Sequence, residues 1–266
     1  MRLQGEGDRG RETKGVHMMK QLRLAYSYYG WRARIGLLVP SINVVMEPEL
    51  NLMAPQGVSI HSSRLVISGP SSCESYAIMS AQAGEAASRL RLIDPTVMVF
   101  GCTSCSFIEN EKEIRKRIED ETGVPAITTS GAVIRALKHL NVHSVAVATP
   151  YVNFVNEEEK TWLEAEGFTV ADLQGLELGK DEYDRKLIGR QPAEIAYGLG
   201  SRVARSDPDC VFISCTNFAT APIIDALEAD LGIPVITSNQ ASLWAALRIA
   251  GLKFPIEGYG SLLRTS

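Results

Sequence analysis

From Ile35 onward the chain alternates between short runs of β-branched and aliphatic residues and longer stretches in which apolar positions recur at helical spacing. The runs lie at Ile35–Val39, Val58–Ile60, Val97–Phe100, Ala126–Thr128, Val145–Ala148, Val211–Ile213 and Val235–Thr237. They are continuous rather than alternating, the pattern of strands buried on both faces. Strand followed by helix, again and again, predicts parallel sheets with helices packed on both sides.

The same pattern contains a duplication. Asp94-Pro-Thr-Val-Met-Val-Phe-Gly-Cys102-Thr103-Ser104 sets directly over Asp207-Pro-Asp-Cys-Val-Phe-Ile-Ser-Cys215-Thr216-Asn217. After a helical stretch the match resumes, Thr122-Gly-Val-Pro-Ala-Ile-Thr128 answering Leu231-Gly-Ile-Pro-Val-Ile-Thr237, and a further helix follows each, at Ala132–Leu140 and Ala241–Ala250. A period of about 110 residues is too long for a solenoid. The expected fold is therefore α/β, with two similar Rossmann-like parallel-sheet lobes related by a pseudo-twofold and an active site in the cleft between them. Residues 33–142 form the expected first lobe, 143–250 the second, and 251–266 a C-terminal segment packing back on the first. Ligands of open parallel sheets bind beyond the carboxyl ends of the strands. Cys102 and Cys215 both fall there, on opposite walls.

Composition narrows the partner. A chain of 266 residues with 45% hydrophobic and 22% charged content can bury a sizeable core. A formal net charge of -4 argues against a surface that grips nucleic acid or anionic lipid. No run approaches the roughly 18 to 20 apolar residues of a membrane span. A small-molecule substrate is expected, and a homodimer only on the general frequency of dimers among soluble enzymes. Five cysteines, an odd number, without a signal peptide, point to free thiols in a reducing cytoplasm. Residues 1–32 are charged and glycine-rich without a sustained apolar core. They are expected to be a disordered extension, with Met18 or Met19 as an alternative natural start.

The candidate chemistry rests on the cysteine pair. A free thiol has a pKa of roughly 8.5, which a helix N-terminus lowers. Cys102 precedes the helical stretch that includes Ile108–Ile118, and Cys215 the one that includes Pro222–Leu231, so both are expected to be activated in this way. Thr103, Ser104, Thr216 and Asn217 add donors at the same turns, suited to a carboxylate or an enediolate oxygen. Two sulfurs facing one substrate can move a proton from one face to the other. Alternatively, one adds to an activated double bond, allows rotation and leaves. Neither route needs a cofactor. His17, His61, His139 and His143 are scattered, and no metal, Rossmann-fingerprint or P-loop pattern is present. Cys210 reads as core, Cys73 as a loop thiol, and Cys105 as the second half of a Cys-x-x-Cys match that lacks thioredoxin-like context.

From about Arg34 to its end, the sequence resembles the Asp/Glu racemase superfamily, in the branch containing maleate cis–trans isomerases and arylmalonate decarboxylases. Gly101-Cys102 and Ser214-Cys215 match the two catalytic positions of that superfamily. Gly36-Leu-Leu-Val-Pro-Ser-Ile-Asn43 looks like the opening of maleate isomerases, which implies that Asn43 contacts a substrate carboxylate. Thr149-Pro150-Tyr151 looks like the segment whose tyrosine donates to a substrate carboxylate, which implies that role for Tyr151. Decarboxylases resemble Gly101–Phe107 closely but carry glycine in place of Cys102. The presence of both cysteines implies a cofactor-independent isomerase of small dicarboxylates, most closely of the maleate-to-fumarate type. An amino-acid or hydroxy-acid racemase, an arylmalonate-type decarboxylase and a non-catalytic carboxylate-binding protein are the alternatives. Polar residues after each cysteine, where maleate isomerases usually have apolar ones, leave room for a different acid.

Overall fold

In the computed structural model, which describes residues 28–265, the seven apolar runs are all strands, and an eighth joins them. β1 (Ala33–Pro40), β2 (Val58–Leu65), β3 (Val97–Phe100) and β4 (Ala126–Thr128) form one parallel sheet of order β2-β1-β3-β4. β5 (Ser144–Tyr151), β6 (Thr169–Leu178), β7 (Cys210–Ile213) and β8 (Val235–Thr237) form a second of order β6-β5-β7-β8. The two orders are the same, displaced by four strands. The duplicated sequence has become a duplicated sheet.

The repeated residues explain how each half folds. Every residue of the inner strands β3 and β7 is buried, which accounts for runs without alternation. The repeated Gly-x-Pro stops a helix and starts a strand. Gly123 and Gly232 end α5 (Glu111–Thr122) and α10 (Ile224–Leu231) in the left-handed region, each at φ 70°. The carbonyls of Pro125 and Pro234 then accept from the amides of Met98 and Val211, feeding the chain into the sheet. The repeated Ile-Thr closes the strand and caps the next helix. The Thr128 hydroxyl accepts from the Gly131 amide at the start of α6 (Thr129–His139), and that of Thr237 from the Gln240 amide at the start of α11 (Ser238–Ile249). α6 and α11 pack on each other between the sheets, burying small residues such as Ala132, Ala136, Ala241 and Ala245.

Four expectations change. β6 was not foreseen, because an edge strand with one side toward water carries Asp172, Gln174 and Glu177 and gives no apolar run. The helix expected across Ile108–Ile118 is two helices, α4 (Thr103–Ile108) and α5. Glu109 is extended between them, and Asn110 caps the second with its side chain. The C-terminal segment lies mainly against the second half rather than the first. Its helix α12 (Gly260–Arg264) packs on α10, α11 and β8, and Arg264 pairs with Asp225 and Glu228, two carboxylates of α10. The segment reaches the first half through Tyr259 on the Leu52 carbonyl, Thr265 on His139 and the Phe254 ring beneath the Arg32 guanidinium at 5.1 Å. The extension expected over residues 1–32 lies outside the described residues up to residue 27, while Arg32 is already tied to the Gly57 carbonyl. No described helix is long and apolar enough to cross a membrane.

The remaining helices are α1 (Met46–Met53), α2 (Cys73–Ala81), α3 (Ala83–Arg91), α7 (Asn153–Ala165), α8 (Glu182–Ile188) and α9 (Ala193–Val203). α7 carries an exception to the apolar core: Glu159 is fully buried, and neither carboxyl oxygen makes a hydrogen bond of ordinary geometry. Burial pushes it up to about 8, with the facing Ser214 hydroxyl acting weakly in the other direction. The unfolded chain releases this proton in the ordinary carboxylate range, whereas the native state holds it to about pH 8. Between those limits the native state binds the extra proton, and stability falls as pH rises. Relative to wild type, Glu159→Gln should gain about 3 kcal/mol of stability between pH 5 and pH 7.5, at about 1.4 kcal/mol per pH unit. Urea unfolding at the two pH values measures this, and a difference that does not move with pH contradicts it.

Candidate active site

Each cysteine stands one residue beyond the glycine or serine that follows an inner strand. After β3, Gly101 continues the sheet by donating its amide to the Leu38 carbonyl at 2.7 Å. A Cβ on Gly101 would lie 2.6 Å from the Met46 sulfur and 3.1 Å from the Leu38 carbonyl oxygen, so a larger residue would have to displace Met46. Cys102 then takes the N-cap position of α4. Its sulfur makes no cap bond to the helix and lies 3.7 Å from the Ser104 hydroxyl. After β7, the Ser214 amide donates to the Ala148 carbonyl at 2.8 Å, and Cys215 follows with φ at 96°. That is a left-handed conformation unfavourable for any residue with a Cβ. No helix starts there. Residues 216–220 are irregular, a 3₁₀ turn spans Ala221–Ile223, and α10 comes only afterwards.

Both thiols line one pocket at the carboxyl ends of the two sheets. Asn43, Ser104, Tyr151, Thr216 and Asn217 line it with them. The Asn43 carboxamide oxygen accepts from the amides of Val45 and Met46, both at 3.0 Å, while its nitrogen donates to the Thr216 hydroxyl at 3.0 Å. An amide nitrogen has two hydrogens, so one is left over. The Thr216 hydroxyl is fully used, since it also donates to the Gly101 carbonyl at 3.0 Å. The Asn217 side-chain oxygen holds the Val44 amide at 2.9 Å, and its own amide approaches the Cys215 sulfur at 3.4 Å. The Tyr151 hydroxyl faces that sulfur too.

Thr103 departs from expectation. It does not line the pocket; its hydroxyl donates at 2.9 Å to Ser238 of the other half, and the Ser238 oxygen also accepts the Cys215 amide at 3.0 Å. The helix that holds Cys102 is thus tied to the turn that holds Cys215. Cys105 is fully buried with its thiol on the Tyr76 carbonyl, outside the pocket. Cys210 lies in the core of β7, and Cys73 is the exposed first residue of α2 rather than a loop thiol. Among the pocket residues that the sequence did not single out, an aromatic ring and a cation stand out. Tyr76 on α2 faces Ser104 and Ser71 through its hydroxyl, and Arg185 on α8 stacks over the Tyr76 ring at 5.3 Å. Each is the fourth residue of the first helix after an edge strand, so the duplication sets one against the other.

Thiol activation by helix N-termini is not what the site shows. Burial raises Cys102 above the ordinary thiol range, opposed by the Cys105 amide, the Ser104 hydroxyl and the Arg185 charge. Burial pushes Cys215 up to about 12; Tyr151 and the Asn217 amide oppose this, and the negative charges of Cys102 and Glu159 add to it. The walls differ chemically. Burial disfavours the thiolate at both, but the Arg185 charge opposes it only at Cys102, while like charges reinforce it at Cys215. The strained turn predicts that Cys215→Gly is more stable than Cys215→Ala by about 1 kcal/mol in thermal unfolding; equal stabilities would contradict it. Thr103→Val should cost about 1 kcal/mol of stability in thermal unfolding by removing the hydrogen bond to Ser238, and an unchanged midpoint would contradict its role as a tie between the halves.

The chain is similar to proteins of known activity over most of its length. The maleate isomerase of Nocardia farcinica is 29% identical over 245 residues, covering 87% of this chain and 95% of that protein. The arylmalonate decarboxylase of Bordetella bronchiseptica is 28% identical over 238 residues, covering 85% and 98%. Among solved structures, a cysteine-to-serine variant of the Nocardia farcinica maleate cis–trans isomerase with a covalently bound succinylcysteine intermediate superposes with a TM-score of 0.80 at 27% identity, over 87% of this chain and 98% of that one. The family model for arylmalonate decarboxylase matches residues 35–263, which take in both sheets, both cysteines and every polar group of the pocket. With fold, site and matched length in agreement, the chain belongs to the arylmalonate decarboxylase family, in the Asp/Glu racemase-like branch that its duplicated cysteines suggested.

Proposed function

We propose that this chain is a cofactor-independent isomerase that converts maleate to fumarate, with Cys102 as nucleophile and Cys215 as acid and base. The observation that carries the reading is that two thiols, one from the equivalent turn of each half, line one pocket together with neutral hydrogen-bond donors and a buried cation. The Cys102 thiolate adds to one carbon of the double bond. The electron pair moves onto the adjacent carboxylate as an enediolate, and the Cys215 thiol delivers its proton to the neighbouring carbon. A succinyl thioether results, whose central bond is single and free to turn. After rotation the Cys215 thiolate takes a proton back, the C–S bond breaks, and fumarate leaves with both thiols restored. The free hydrogen of Asn43, the hydroxyls of Tyr151 and Ser104, and the Asn217 side-chain amide serve the carboxylate oxygens as charge develops on them, while Thr216, its hydroxyl hydrogen spent on the Gly101 carbonyl, holds Asn43 in place.

Two unequal thiols suit this sequence better than racemisation, which would ask both for the same role in the two directions. The succinylcysteine in the relative supports the same step. Decarboxylation of a substituted malonate is the second reading. The family model favours it, and it would use Cys215 as proton donor with Cys102 idle. The enzyme is expected to act in solution as a soluble, cytoplasmic homodimer of two-lobed subunits.

Proton NMR of the protein with maleate in deuterated buffer should show fumarate accumulating. Cys102→Ala and Cys215→Ala should each lower turnover by more than about a thousandfold, consistent with the loss of a nucleophile or a general acid–base. Unchanged maleate alongside carbon dioxide release from an aryl-substituted malonate would establish the second reading instead.

A further inference from the structure

Arg185 is a buried cation without an ion-pair partner among the described residues. It is only 4% exposed, and it is the one formally charged side chain that lines the pocket. A single nitrogen, Nη1, donates to the carbonyls of Ser68, Gly69 and Pro70 at 3.2, 3.0 and 3.0 Å. No carboxylate among the described residues forms an ion pair with it, and its Nη2 and Nε groups have no hydrogen-bond acceptor among those residues. A guanidinium presents five N–H groups in a planar fork that matches a carboxylate. Withdrawing that charge from water without an anion is costly, and three neutral carbonyls at one corner do not offset it.

We propose that Arg185 is the anchor for the second carboxylate of the substrate, so that the site selects dianionic four-carbon acids over monoanionic ones. The inference rests on the isomerase reading for the identity of the substrate, but the anion site itself follows from the geometry alone. Arg185 sits on α8 of one half, while the carbonyls that orient it belong to the 68–70 loop of the other. The adjacent Ser71 amide donates to the Gly179 carbonyl at 2.9 Å, which closes the same seam. The carbonyls hold one corner of the guanidinium, the Tyr76 ring supports its plane at 5.3 Å, and the remaining edge is left for an anion. The other donors of the pocket, Asn43 and the turns after Cys102 and Cys215, are neutral. They suit the carboxylate on which the enediolate forms, where the donors must serve a changing charge. A fixed cation suits the carboxylate whose charge stays put.

The test compares wild type, Arg185→Gln and Arg185→Lys. Succinate, a saturated dicarboxylate that cannot isomerise, serves as the binding probe by calorimetry, and kcat/KM is measured for maleate and for its monoamide. Arg185→Gln should weaken succinate binding at least tenfold and lower kcat/KM for maleate at least tenfold more than for the monoamide. Arg185→Lys should restore part of the preference for the dianion. A merely structural role would lower both substrates equally, and that result, or an unchanged succinate affinity, overturns the proposal. Succinate binding that depends on Arg185 in a protein that leaves maleate unchanged would sustain the anion site and refute the isomerase reading. Isomerisation of maleate with no dependence on Arg185 would do the reverse.

Discussion

The two halves meet through hydrogen bonds that are themselves buried, and the pocket exists only while those bonds hold. Asn43 of the first half reaches Thr216 of the second, Thr216 reaches back to the Gly101 carbonyl, and Thr103 and the Cys215 amide share the Ser238 hydroxyl. Glu49 on α1 is the strongest of these links. It is buried, and it accepts from the amides of Thr220 and Ala221 at 2.6 and 2.8 Å and from Asn239 at 2.7 Å. Burial raises its proton affinity, while those donors pull it the other way. Groups of this kind cost much when left unpaired and little when paired, so they favour one docking of the halves over slid or rotated alternatives. Each cysteine turn takes part in the interlock directly, which fixes the sulfurs relative to each other without a bond between them.

The same burial sets the chemistry. In water both thiols would titrate alike; removed from it, each is governed by the few groups left within reach. Cys102 has the Cys105 amide, the Ser104 hydroxyl and the field of Arg185 nearby, whereas Cys215 has Tyr151, one amide and two neighbouring groups of its own sign. Sequence symmetry thereby produces chemical asymmetry. The left-handed backbone at Cys215 is a further departure from the twofold, and it directs that sulfur toward a turn instead of a helix. Strain at such a place persists only because the packed surroundings over-determine it.

Much of this was legible in the chain. Buried inner strands show as apolar runs, and the repeated Gly-x-Pro and Ile-Thr mark helix stops and caps whose geometry is local. The pairing of Cys102 with Cys215 followed from their equal place in the duplicated unit. Edge strand β6 was hidden because its outer side meets water. The role of Thr103 was misread because a hydroxyl at a turn can face the ligand or the other half, and spacing does not distinguish the two. Arg185 was invisible for a related reason. In Asp-Glu-Tyr-Asp-Arg-Lys it reads as the charged face of a surface helix, and only the loop from the opposite half covers it. Glu159 sits in a run of three glutamates of which one alone turns inward.

The central claim is that one thiol bonds to carbon while the other handles the proton. Its most direct test is peptide mapping by mass spectrometry of Cys215→Ser after incubation with maleate. The expected result is a succinyl adduct on Cys102 and on no other cysteine: the serine hydroxyl or solvent supplies the proton to carbon, and the adduct accumulates because no thiolate is present to take it back. An adduct on another cysteine, or full isomerase turnover by that variant with no adduct, would contradict the assignment of the two sulfurs.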